Sequence, residues 1–100
     1  MKRFFLIAAV LPMLAGAASA ADHTVEIKGM KFSPARLNVA VGDTVTFTNA
    51  DAAPHTATGT AFDTGRLNKG QKGTVTISAA GQHDYKCMIH PMMKGAVTAK

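Results

Sequence analysis

Tryptophan is absent from this sequence, tyrosine occurs once, and there is a single cysteine. One cysteine excludes a disulfide within the chain. The basic residues of the central and C-terminal parts (Lys28, Lys31, Arg36, Arg66, Lys69, Lys72, Lys86, Lys94, Lys100) form no run. Five Phe and one Tyr are too few to build base-stacking platforms, so nothing here supports nucleic-acid binding. No apolar run reaches the roughly 20 residues of a membrane-spanning helix. Beyond the N-terminus there is no internal repeat, linker or low-complexity segment.

The N-terminus reads as a cleaved secretory signal peptide over residues 1–20. Lys2 and Arg3 precede an apolar stretch from Phe4 to Leu14, and Ala18-Ser19-Ala20 supplies the small-residue cleavage pattern. The expected mature chain is one domain, residues 21–100, exported to the periplasm and without a membrane span. It carries nine basic and six acidic residues, a net charge of +3, enough to tune docking with acidic partners. A domain this small often needs a metal or disulfide staple. A lone thiol in an oxidising compartment is a liability unless buried or bound, and metal ligation by Cys87 would resolve both points. Cleavage after Ala20 would also expose Ala21-Asp22-His23, which at a frayed end can wrap Cu(II) or Ni(II) in four nitrogens.

Every segment after residue 22 has strand character, and none has a period of 3.6. Val25 and Ile27 alternate with polar neighbours; Leu37, Val39 and Val41 do the same, as do Val45 and Phe47. Gly42-Asp43 between the last two runs predicts a hairpin. Val75 and Ile77 mark another strand, His83 to Cys87 a further one, and Ala96 to Ala99 the last. About seven short strands predict an all-β fold, an antiparallel Greek-key β-sandwich. Asn49 and Asp51 read as turn residues, and His83 as an ordinary histidine near a strand end.

The chemistry concentrates in Cys87-Met88-Ile89-His90-Pro91-Met92-Met93. Thiolate, imidazole and thioether at three-residue spacing are the donors soft metals select, copper above all. A trigonal copper site needs a second imidazole, and His55 in Pro54-His55-Thr56 can supply it from another strand. Met92 and Met93 both compete for the weak axial position. A zinc enzyme fits poorly, because a methionine would fill the position catalytic zinc leaves open for water.

These stretches, with Met30-Lys31-Phe32-Ser33-Pro34, Val41-Gly42-Asp43-Thr44-Val45 and Asp84-Tyr85-Lys86-Cys87, resemble the cupredoxins, the blue-copper family that includes plastocyanin, azurin, pseudoazurin and amicyanin. The compact Cys-x-x-His-x-x-Met loop, closed by Lys94-Gly95, resembles the amicyanin branch; plastocyanin and azurin have longer loops. The resemblance implies one type 1 copper held by His55, Cys87, His90 and Met93, and a non-enzymatic, single-electron carrier. A redox donor and acceptor are expected to dock transiently near His90, within an apolar patch made by Pro54, Met88, Pro91 and Met92, and the protein is expected to be a monomer. The resemblance also implies that the backbone of Thr56, where the family commonly has Asn, points at the cysteine sulfur while its shorter side chain ties the two ligand loops. The methionine cluster Met88, Met92 and Met93 leaves a second reading, a periplasmic protein that delivers or buffers copper, because thioethers select Cu(I).

Overall fold

The computed structural model describes residues 20–100; residues 1–19 of the expected signal peptide lie outside the described residues. Among the described residues eight strands form two sheets. They are β1 (Asp22–Ile27), β2 (Phe32–Ser33), β3 (Arg36–Val39), β4 (Thr44–Asn49), β5 (Thr58–Gly59), β6 (Lys72–Thr76), β7 (Gly81–Lys86) and β8 (Lys94–Ala99). One sheet runs β2-β1-β4-β6 and the other β3-β8-β7-β5. Among the described residues no helix is long and apolar enough to cross a membrane.

Period-two alternation explains the layers. Along β4, Val45, Phe47 and Asn49 are buried while the intervening threonines are only half-buried. Four aromatic rings form the centre of the core, with the Tyr85 ring 4.7 Å from Phe32, 5.3 Å from Phe47 and 5.5 Å from Phe62. Such pairs add about 0.5–1.5 kcal/mol each beyond their area burial. Gly95 is required beside them, because a Cβ there would run into the Tyr85 ring.

The sandwich is as expected, but its sheets are mixed. β1 pairs with β4 in parallel, and so does β3 with β8. The hairpin expected at Gly42-Asp43 is corrected by the same pairings: β3 and β4 lie in different sheets, and the turn between them carries the chain across the sandwich. Asp43 fixes that corner. Its buried carboxylate accepts from the N–H of Ala21 and of Ala40, both at 2.9 Å, and from His23 Nε2 at 2.9 Å. These bonds hold its pKa down at about 2, the His23 bond contributing most.

The same contacts correct the expected frayed metal-binding terminus. Asp22 and His23 are already paired with Thr44 and Val45, and the His23 imidazole is engaged by Asp43. A backbone fixed in a sheet cannot wrap a square-planar ion with its own amides.

Candidate metal centre

The sandwich brings His55, Cys87 and His90 together at one end. His55 lies just before β5, in a two-way bridge with Leu67: its N–H donates to the Leu67 carbonyl at 3.0 Å, and Leu67 N–H donates back at 2.7 Å. Cys87 follows the last residue of β7, and β8 begins at Lys94, so residues 87–93 close the β7–β8 hairpin. Inside that loop Cys87 N–H donates to the Met93 carbonyl at 3.0 Å, and Met93 N–H to the His90 carbonyl at 2.9 Å. Three-residue spacing therefore becomes a tight turn with cysteine and histidine facing the same point.

The distances define that point. Cys87 Sγ lies 3.8 Å from Nδ1 of His55 and 3.8 Å from Nδ1 of His90, and the two nitrogens are 3.2 Å apart. A triangle with sides of 3.8, 3.8 and 3.2 Å has a circumradius of about 2.1 Å, the length of a bond from imidazole nitrogen to a first-row metal. One thiolate and two imidazoles equidistant from a common centre fit a trigonal copper site.

Neighbouring groups tune each donor. Burial pushes the Cys87 thiol up, but the Thr56 and His90 N–H groups, both 3.4 Å from the sulfur, and the two imidazoles outweigh it and bring the pKa to about 6. The same contacts favour the thiolate, the form that ligates metal. The Thr56 hydroxyl also accepts from Met88 N–H at 2.8 Å, so it ties the His55 segment to the ligand loop despite being shorter than asparagine.

Two residues read from the sequence as turn formers have larger roles. Asp51 Oδ2 is 2.9 Å from His55 Nε2, which places a proton on Nε2 and leaves the Nδ1 lone pair facing the centre. The same carboxylate accepts from the N–H of Gly29 at 2.8 Å and of Met30 at 3.0 Å. Those bonds, followed by the one from His55, hold its pKa below the ordinary carboxylate value. Asn49, fully buried, donates Nδ2–H to the carbonyls of Ala53 and Leu67 at 2.9 and 2.8 Å and accepts from Asp51 N–H. It braces the loop that carries His55. A carboxylate four residues before a candidate histidine was the only sequence signal for this arrangement.

The methionines separate by exposure. Met93 is 3% exposed and packs in the core cluster with Cys87, whereas Met92 is 83% exposed. Met88 and Ile89 are exposed as well, and His90 is half-buried between them and Pro91. His83 lies apart from the centre, with Nε2 on the Ala79 carbonyl at 2.7 Å.

The family model for a cupredoxin-like domain matches residues 3–99. The chain belongs to the cupredoxin family. Among curated relatives, this cupredoxin is 38% identical over 93 residues to amicyanin of Paracoccus denitrificans, covering 84% of this chain and 71% of the relative. It is 33% identical over 93 residues to amicyanin-alpha of Methylorubrum extorquens strain AM1, covering 83% and 76%. Among solved structures, the Cu(I) form of an amicyanin variant superposes with a TM-score of 0.75 at 36% identity, covering 86% of this chain and 88% of that one. This cupredoxin is amicyanin-like in sequence and in fold.

Proposed function

We propose that this protein is an exported single-electron carrier that binds one copper ion through His55 Nδ1, Cys87 Sγ, His90 Nδ1 and the Met93 sulfur. The observation that carries the reading is the donor triangle, whose centre is about 2.1 Å from one thiolate and two imidazoles. Bound copper supplies a one-electron couple between Cu(II) and Cu(I). The chain's own residues do the rest. Asp51 holds His55 in one tautomer and Asn49 fixes the loop beneath it, while Thr56 joins the two ligand segments. A cage held this firmly before metal arrives moves little when the charge changes, which keeps reorganisation small. Every donor comes from the chain and Met93 is buried beside Cys87, so no position is reserved for a substrate. The protein is an electron carrier and not an enzyme.

The His90 edge is the route by which electrons enter and leave. Met88, Ile89 and Met92, exposed by 57, 40 and 83%, make an apolar rim around it. A small apolar contact favours transient docking of a redox donor and then an acceptor, with the carrier acting as a monomer. Residues 1–20 direct the chain to the periplasm and are removed, leaving residues 21–100 as the working domain.

Purified apo-protein mixed with Cu(II) should turn intensely blue, and Cys87→Ser should lose both the colour and the reversible couple. A normal blue band in Cys87→Ser would overturn the ligand set. The exposed thioethers of Met88 and Met92 favour one second reading, Cu(I) delivery. A delivery protein would surrender its copper to an acceptor, whereas a carrier keeps it through repeated redox cycles.

A further inference from the structure

The sequence scatters its basic residues, but the fold gathers three of them. The outward face of the sheet β3-β8-β7-β5 is an open groove of about 950 Å³. Ala35, Gly59 and Ala96 line it without bulk, and Arg36, Lys86 and Lys94 line it with long cationic side chains. Lys86 and Lys94 are direct cross-strand partners. Arg36 and Asp84 flank Ala96 in the adjacent row of the same face. Among the described residues the side-chain ion pairs are His23–Asp43 and His55–Asp51, so none of the three cations is held in an ion pair. Asp84, the acidic residue of the groove, accepts a bond from Gln82 Nε2 at 2.9 Å.

Like charges directly opposite one another destabilise a sheet. Lysines are often tolerated on edge strands because they block aggregation. That explanation fails here, since β7 and β8 are the two central strands of their sheet. The groove also adjoins the metal centre: Lys86 precedes Cys87 in the chain, and Met88 lines the groove.

We propose that this groove is a second docking surface, which takes an acidic segment of a redox partner protein presenting several carboxylates to Arg36, Lys86 and Lys94. It rests on the electron-carrier reading for the nature of the partner, though not for the binding itself. Other polyanions fit less well. The groove offers no exposed Phe, Tyr or Trp ring for a nucleobase, because Tyr85 is buried. A concave surface meets a flat bilayer poorly.

The test titrates copper(I)-loaded, 15N-labelled protein with a hexaglutamate peptide at low salt. Amide shifts should centre on Arg36, Lys86, Lys94 and Ala96, and binding should weaken as salt is added. Lys86→Glu/Lys94→Glu should weaken binding at least about tenfold, and Lys86→Gln/Lys94→Gln serves if that pair fails to fold. Lys69→Glu/Lys72→Glu, which makes the same change in net charge at and before β6 of the other sheet, should cost no more than about twofold. Lys94→Glu alone should raise the melting temperature while weakening the peptide, a combination a purely structural lysine would not give. Equal weakening by both double variants would reduce the effect to net charge and overturn the proposal. Shifts centred on the His90 loop would overturn it too, as would tighter binding at the same residues by phosphatidylglycerol vesicles or a single-stranded oligonucleotide. After the titration the same samples are oxidised to Cu(II) with ferricyanide and the blue band is recorded: its absence with the peptide seated in the groove counts against the copper reading alone, and its presence with no peptide bound counts against the groove alone.

Discussion

Replacing Asp51 with alanine separates a turn former from a residue that positions a metal ligand. The carboxylate accepts three hydrogen bonds, from Gly29 N–H, Met30 N–H and His55 Nε2–H. The two turn amides are exposed enough for water to replace the carboxylate, so each bond contributes only about 0.5–1.5 kcal/mol. The imidazole differs, because His55 is 0% exposed and its Nε2–H would be left without an acceptor, at a cost of about 1–3 kcal/mol. Together these give roughly 2–6 kcal/mol, a large share of the roughly 4–12 kcal/mol available to a domain of this size. The apo form of Asp51→Ala should melt at least about 10 °C below the parent apo-protein. Copper affinity should fall about 10–100-fold, since His55 is no longer held in one tautomer. Asp51→Asn offers one acceptor oxygen to three N–H groups and should fall between. The assays are thermal melts of the apo forms and competition with a Cu(I) chelator. If Asp51→Ala is destabilised but binds copper within about twofold of the parent, the carboxylate serves only the Gly29–Met30 turn and the positioning argument fails.

Three other outcomes follow from the same geometry. Met92→Lys should slow electron self-exchange by like-charge repulsion at the His90 edge while leaving the visible spectrum almost unchanged, and an unaltered exchange rate would move the port elsewhere. The depressed Asp43 and Asp51 carboxylates contribute stability that is complete above the ordinary carboxylate pKa of about 4 and is lost as pH falls through their folded values, about 2 for Asp43. Denaturant melts should therefore weaken between about pH 4 and pH 2, and Asp43→Asn should flatten that slope. Copper held only by the folded chain adds about 4 kcal/mol at a thousandfold excess over its dissociation constant, so removing it should lower the melting temperature, and equal melting of the two forms would unlink binding from folding.

The sequence alone determined the parts of this protein that depend on local pattern and donor chemistry. Val25 with Ile27 and Val45 with Phe47 announce strands through period-two alternation, and that alternation survives as the buried face of β1 and β4. The Cys87–His90–Met93 spacing announces a compact soft-metal loop because local hydrogen bonds, Cys87 N–H to the Met93 carbonyl and Met93 N–H to the His90 carbonyl, form its turn. Which sheet a strand joins depends instead on partners many residues away. The turn signal at Gly42-Asp43 was genuine, yet only the burial of the Asp43 carboxylate against Ala21 and His23 made it a crossing between sheets. Asp51 and Asn49 look like loop formers because their side chains are short and polar, and their bonds to His55 and Leu67 exist only once the chain has closed. Arg36, Lys86 and Lys94 are scattered in sequence and adjacent on one face, since strand register and not chain order decides which charges meet.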